Sequence, residues 1–375
     1  MRVIYFSADY TTHDWRYLAK LAETDHQVWY LRLSRGPIVL EKRSIPLGIE
    51  LVEWAGGQRP VQGLVNQLRL LPSLRRVVRQ LRPDLIHAGP IQSCGFLAAL
   101  TKFRPLLLMS WGSDVLVDAD RGPLWRWVTR FTFRHADAVV GDCRAVRERI
   151  RQLTGYPDDK IVTFPWGIDL GAFSPGTTGL NLRERLGWED KTVILSTRSW
   201  EKLYGIDVLL NAFAEVAKEF PESRLLLLGD GSMAQEVHCL ISDNGLSDAV
   251  HLTGQVPHES LADYFNLADI YVSSSFSDGS SVSLLEAMAC ALPVVVTDIP
   301  GNREWVTPEI NGWLAKAGDV SSLASALSQS LADSHRWTQM GEANLGIVRE
   351  RADWNKNFQV LLSTYDRVAV ATGHG

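Results

Sequence analysis

Short apolar runs alternate along this chain with longer segments whose apolar residues recur every three or four positions. In the first half, residues 3–6, 28–33, 85–87, 106–109, 138–140 and 161–164 are apolar runs of strand length, and residues 13–23 and 64–81 carry helical periodicity. The second half repeats the scheme, with strand-like runs at 193–196, 225–228, 250–253, 270–273 and 293–296. Runs that are apolar throughout suit strands buried on both faces, and strand–helix alternation predicts parallel sheets with helices on either side. Two doubly wound α/β domains follow. Residues 165–179, rich in Gly, Pro and Thr, form the best linker, and residues 337–370 are helical in pattern.

Composition narrows the class. The 375 residues are 46% hydrophobic and 22% charged, ordinary for a globular protein with room for two full cores. The first apolar run is too short for a signal peptide, and no stretch approaches the roughly 18 consecutive apolar residues that span a membrane. Cys94, Cys143, Cys239 and Cys290 are scattered, which argues for reduced thiols, no structural zinc or other metal site, and a cytoplasmic protein. Residues 1–170 carry 24 Lys and Arg against 17 Asp and Glu, or +7, and the remainder carries 14 against 26, or −12, which returns the total of −5. The basic half includes Arg69, Arg75, Arg76, Arg79 and Arg82 on one helical stretch, and Arg121, Arg126, Arg130 and Arg134 interleaved with Trp125, Trp127, Phe131 and Phe133. That mixture suits peripheral contact with an anionic membrane surface, whereas nucleic acid has no recognisable module to bind.

The stretch 276–301, FSDGSSVSLLEAMACALPVVVTDIPG, carries the most chemistry. It reads as a loop, a helix from about Ser283 and a buried strand. Amides at that helix start, around Ser280, Ser281, Val282 and Ser283, favour an anion such as a diphosphate. Asp278 and Glu286 stand where they can accept hydrogen bonds from hydroxyl groups of the molecule carrying it. The spacing of Ser283 and Glu286 also fits a capping box. Arg198, at a strand's carboxyl end ahead of a glycine turn and an amphipathic helix, suits a phosphate clamp, with Lys202 nearby. Gly229 and Gly231 form a tight strand-to-helix turn, and Gly301 permits close backbone approach. In the first half, His13 and Asp14 follow the first strand, Asp114 follows the run 106–109, and His87 reads equally as a core histidine or a ligand.

The string DGSSVSLLEAMACALPVV resembles the donor-binding motif of family 4 of the glycosyltransferases, an acidic residue and a glutamate eight positions apart followed by Ala-Met-Ala and a small residue before Pro-Val-Val. Asp278 stands where that family usually has glutamate and Ala291 where it has glycine. Tyr204 holds the place of the family's lysine, and Trp111 that of a histidine associated with the transferred sugar. The resemblance implies a GT-B architecture, two facing Rossmann-like domains with a cleft between them: residues 1–170 on the acceptor side, 171–345 binding the donor, and 346–375 crossing back to the first domain. It implies a retaining, metal-independent enzyme without a cofactor, using a UDP- or GDP-linked sugar as substrate. Arg198 and Lys202 would hold the diphosphate, with Gly229, Gly231, Gly301 and the helix start at Ser280–Ser283 beside it. Glu286 would hold the ribose and Asp278 the donor sugar, while His13, Asp14, His87 and Asp114 would face the acceptor. A glycan, a glycolipid or a small molecule in a cell-surface polysaccharide or glycolipid pathway would accept the sugar, at the inner face of the plasma membrane. A sugar-nucleotide epimerase of the same fold, or a non-catalytic sugar-nucleotide binding protein, are the other readings. A dehydrogenase is disfavoured because neither half opens with the full dinucleotide glycine fingerprint.

Overall fold

The computed structural model describes residues 1–36, 41–176 and 181–371, so residues 177–179 of the expected linker lie outside the described residues. The chain divides into two compact units, residues 1–164 with the chain from Phe358 onward, and Pro165–Asn357. Among the described residues the first holds seven parallel strands: β1 Arg2–Ser7, β2 Gln27–Arg32, β3 Ile49–Leu51, β4 Leu85–Ala88, β5 Leu106–Met109, β6 Ala138–Gly141 and β7 Ile161–Thr163, in the order β3-β2-β1-β4-β5-β6-β7. The second holds six: β8 Thr192–Ser196, β9 Ser223–Leu228, β10 Val250–Gly254, β11 Ile270–Ser273, β12 Val294–Thr297 and β13 Gly312–Ala315, in the order β10-β9-β8-β11-β12-β13. Strand order reverses between β1 and β4 in one sheet and between β8 and β11 in the other, and ligands of such sheets bind outside the carboxyl ends of strands at that point.

Every strand expected from the apolar runs is present, and two more were not legible. β3 is a three-residue edge whose side chains are largely exposed, so it carries no apolar run. β13 reads Gly-Trp-Leu-Ala, which opens on glycine and has no β-branched residue to mark it as a strand. The continuous helix expected over residues 64–81 is instead two, Leu64–Leu68 and Leu71–Leu81, with Pro72 in the first turn of the second. Proline has no amide hydrogen to donate and its ring crowds the carbonyl four residues earlier, so the helix restarts there. The terminal segment is likewise two helices, Trp337–Arg351 and Trp354–Ala371. At their junction Ile168 donates its amide to Ala352 O at 2.8 Å and accepts from the Trp354 amide at 3.0 Å. Gly167 has φ +68° there, and a Cβ on it would lie 2.7 Å from Ala352 O. Among the described residues no helix is long and apolar enough to cross a membrane.

Side chains along the second sheet alternate between two apolar layers, as the two-residue period of a strand demands. Ile194, Leu225, Leu227, Ile270, Val272 and Val295 enter one, and Val193, Leu195, Leu226, Leu228, Tyr271, Val294 and Val296 enter the other. The first sheet differs. One face packs Ile4, Phe6, Leu31, Ile86, Leu106 and Leu108. The other presents Tyr5, Tyr30 and His87, with His87 edge-on to Tyr5 at 5.3 Å between ring centroids. The last helix covers this face: Tyr365 OH lies 2.7 Å from His87 Nδ1, while His87 Nε2 is buried without a partner among the described residues.

Two consequences can be measured. Ala291 ends the helix Val282–Ala289 region at φ +58°, a left-handed conformation that costs an alanine roughly 1–2 kcal/mol. Ala291→Gly should therefore stabilise the protein by up to about 1 kcal/mol in urea unfolding, after the extra entropy of glycine in the unfolded chain is subtracted. Burial pushes the His87 pKa down from 6.5 to about 3. Below about pH 6.5 the unfolded chain binds a proton that folded His87 refuses until about pH 3. Its contribution to stability is thus complete above that window and falls as pH drops through it. The stability lost between pH 7 and pH 4.5 should be smaller in His87→Gln than in the parent by roughly 1–3 kcal/mol. An equal loss in both would show that His87 does not titrate this way.

Candidate active site

Arg198 leaves the carboxyl end of β8, beside the point where the second sheet reverses its strand order. Its guanidinium is 12% exposed and gathers residues from four segments. Nη2 donates to Asp278 Oδ2 at 2.7 Å, and Nη1 donates to Ser281 Oγ and Ser283 Oγ, each at 3.1 Å. Its Cζ sits 4.0 Å from the centroid of the Tyr204 ring. Ser283 Oγ is also 2.8 Å from Tyr271 OH, on β11. Burial disfavours the charge, yet Asp278, Tyr204 and Tyr271 hold the guanidinium protonated, above arginine's ordinary range. Nε has no partner among the described residues. A fixed cation with an unused buried donor at a strand's carboxyl end is suited to a phosphate oxygen.

The structure tests one of the two readings of Ser283 and Glu286, the capping box. The helix spans Val282–Ala289 with Ser281 as its N-cap, so Ser283 lies inside the first turn and its hydroxyl is engaged by Arg198 and Tyr271. Ser281 does not cap the helix with its side chain either. The capping box is therefore absent, and the first-turn amides keep their anion-binding capacity. Glu286 is 5% exposed and faces His258, with Oε1 3.6 Å from Nε2. His258 is in turn edge-on to Phe173 at 5.5 Å.

The glycines lock these loops against one another. A Cβ on Gly301 would lie 2.3 Å from Gly279 O and 2.6 Å from Asp278 O, so only glycine lets the segment after β12 support the acidic loop. A Cβ on Gly229 would meet Arg198 O at 2.9 Å and one on Gly231 would meet Trp200 O at 2.3 Å, which seats the turn after β9 against the Arg198 loop. Ser280 is buried under the Trp305 indole, whose Nε1 donates to Ser280 Oγ at 3.3 Å, and Val282 is half-buried. Lys202 is placed differently: its side chain is 71% exposed and pairs with Asp207 at 2.5 Å. Tyr204, Tyr271 and His258 join the cluster without having been selected from the sequence as site residues. The Tyr204 position gave a signal, since it holds the place of the family's lysine, and His258 lies in a segment that resembles the family's loop near the nucleotide base.

The first unit holds the other candidates. His13 lies 5.4 Å from Trp111 between ring centroids, Trp111 lies 6.5 Å from Tyr17, and Tyr17 lies 6.3 Å from His87, so these residues form one aromatic chain. Asp14 is buried in a capping box with Thr11 and accepts from Tyr5 OH at 3.1 Å. Asp114 accepts from Ser110 Oγ at 2.7 Å and from the Ile91 amide at 3.0 Å. Burial raises both carboxyls to about 6. Each therefore has a local structural task. Among the described residues no three His, Cys, Asp or Glu side chains group to hold a metal ion.

Comparison with known proteins agrees with this architecture. The family described as "Glycosyl transferases group 1" matches residues 180–345, and "Glycosyl transferase 4-like domain" matches residues 10–167. A D-inositol 3-phosphate glycosyltransferase of Xylanimonas cellulosilytica is 31% identical over 240 residues, which cover 61% of this chain and 57% of that protein. The match thus spans little more than half of that relative's length. Sucrose-phosphate synthase from Thermosynechococcus elongatus has the same fold, with a TM-score of 0.85 at 19% identity over 99% of this chain and 100% of that one. HepE of Anabaena, solved with UDP-glucose, gives a TM-score of 0.80 at 21% identity over 97% and 99% of the two chains. With both of its parallel-sheet units matched and its fold that of GT-B proteins, the chain belongs to the family 4 glycosyltransferases.

Proposed function

We propose that this protein is a retaining, metal-independent glycosyltransferase that moves a hexosyl unit from a nucleotide sugar to a hydroxyl of a glycan, glycolipid or small-molecule acceptor. The observation that carries this reading is the Arg198 cluster, in which a buried guanidinium, two serine hydroxyls and uncapped helix amides converge at the carboxyl ends of β8 and β11. The donor's diphosphate takes the place of the Asp278 carboxylate on Arg198, so the cation keeps an anionic partner. Glu286 accepts from the ribose hydroxyls. Asp278, released from Arg198, turns to the hydroxyls of the sugar.

In the transfer step the bond from the anomeric carbon to the diphosphate oxygen breaks while a bond to the acceptor oxygen forms on the same face. The acceptor's proton passes to a donor phosphate oxygen. Charge accumulates on the leaving diphosphate, and stabilising it is the main catalytic demand. Arg198 and the helix amides meet that demand, with Lys202 at the loop's outer edge. UDP is the favoured carrier, since HepE was solved with UDP-glucose. Residues 171–345 are the donor domain in this reading and residues 1–170 the acceptor domain. His13 and Trp111 lie on the acceptor side.

Exposure on the first unit supports work at an anionic membrane surface in cell-surface polysaccharide or glycolipid synthesis. Leu124 and Trp127 on the helix Pro123–Arg134 are each 54% exposed, and Arg130 and Arg134 are exposed on the same helix. Interfacial tryptophan with surrounding arginine is the composition that anionic headgroups attract.

Thermal unfolding against UDP-glucose, GDP-mannose and related donors tests the reading. A donor present at about 100 times its dissociation constant should add about 2.7 kcal/mol of stability. Glu286→Gln and Asp278→Asn should each weaken that donor at least tenfold, or about 1.4 kcal/mol. A panel on which no nucleotide sugar shifts the melting curve would contradict the proposal.

A further inference from the structure

A cavity of about 300 Å³ lies wholly within the first unit and is lined by Arg32, Arg35, Leu51, Val52, Glu53, Gly56, Gly57 and Gln58. It opens at the carboxyl ends of β2 and β3, two strands away from the point where the first sheet reverses its order. We propose that this cavity binds an anionic group, a phosphate or a carboxylate, of a hydroxylated acceptor. The proposal rests on the glycosyltransferase reading above for the word acceptor, and on the cavity's own chemistry for the anion.

Arg32 carries the argument. Its side chain is 18% exposed, its Nε is buried without a partner among the described residues, and its remaining contacts are long. Nη1 is 3.6 Å from Asp9 Oδ1 and Nη2 reaches Gly57 O at 3.4 Å. Asp9 is occupied elsewhere, because its oxygens accept the Tyr10 amide at 2.7 Å and the Gly36 amide at 2.9 Å. A largely buried guanidinium with unspent donors matches the paired oxygens of a phosphate or carboxylate. Arg35 adds a second, exposed cation on the same wall.

The frame is rigid. Trp54 Nε1 donates to Arg32 O at 2.9 Å, and the Gly57 amide donates to Leu33 O at 2.9 Å. Gly57 has φ +75°, and a Cβ on it would lie 2.6 Å from Arg32 O, so the turn can pass this close to β2 only as glycine. Leu51 and Val52 give the cavity an apolar wall, while Glu53 and Gln58 offer acceptors and donors for hydroxyls. A polyol or sugar with one anionic substituent satisfies all of these at once. The groups assigned to the donor diphosphate lie in the second unit, so an anion held here belongs to the other substrate.

Calorimetric titration in a phosphate-free buffer without nucleotide tests this directly. The probes are myo-inositol 1-phosphate, glucose 6-phosphate and glucuronate, each set against neutral myo-inositol or glucose. At least one anionic probe should bind ten or more times tighter than its neutral counterpart, and whether it is a phosphate or the glucuronate names the group. Arg32→Gln and Arg35→Gln should each lose about tenfold of that affinity, with Arg76→Gln, on an exposed helix face, unchanged. If Arg32→Gln does not fold, exposed Arg35 carries the test alone. Equal binding of neutral and anionic probes, full affinity in Arg35→Gln, or no binding of any probe would overturn the proposal. Melting shifts with UDP are read in parallel. A protein that binds the anion but not UDP contradicts the donor reading, and one that binds UDP but no anionic probe contradicts this one.

Discussion

A guanidinium taken out of water must be given partners, and the second unit is arranged around meeting that demand for Arg198. Removing one partner from a buried ion pair costs on the order of 3–5 kcal/mol, so the surrounding groups hold one another in place as firmly as they hold the cation. Asp278 supplies the countercharge, Ser281 and Ser283 accept from the second nitrogen, and Tyr204 covers the face. The same geometry explains why the helix Val282–Ala289 starts without a side-chain cap, since the hydroxyl of its N-cap residue Ser281 accepts from Arg198 instead. What results is a preorganised cation whose anionic partner is the protein's own Asp278 carboxylate, beside a helix start that no side chain caps.

Close backbone packing fixes where that site stands. Parallel strands place their carboxyl ends together, but loops at those ends reach a common point only if they can approach within backbone contact. Gly205, Gly229, Gly231 and Gly301 sit where any Cβ would press into a neighbouring carbonyl, at 2.5, 2.9, 2.3 and 2.3 Å respectively. Loop-on-loop packing accounts for glycine at these four positions and sets the places of Arg198 and Asp278.

Much of this was legible in the sequence, and the failures have physical causes. Buried parallel strands leave continuous apolar runs, so eleven of the thirteen strands among the described residues stood out, while the exposed edge β3 and β13, which opens on glycine and has no β-branched residue, did not. The apolar stripe across residues 64–81 ran through Pro72, and the missing amide there outweighed the periodicity. Arg198, Asp278 and Glu286 were legible because strand ends and helix starts are marked by local pattern. The pairing of Arg198 with Asp278, eighty residues apart, has no local signature, and neither has the approach of His258 to Glu286. Tyr204 was read as a lost lysine, whereas its ring is a partner for the arginine. Local spacing made Ser283 and Glu286 a capping box, and tertiary contacts with Arg198 and His258 gave both side chains other work.

In the proposed function Arg198 reads the diphosphate, and a small thermodynamic cycle measures that contact by itself. Dissociation constants for UDP and UMP are determined by calorimetry with the parent protein and with Arg198→Gln. The account predicts that the parent prefers UDP over UMP by at least tenfold, and that most of this preference disappears in the variant while UMP binds nearly as before. A preference for UDP that survives intact in Arg198→Gln would contradict it and assign the diphosphate to other groups.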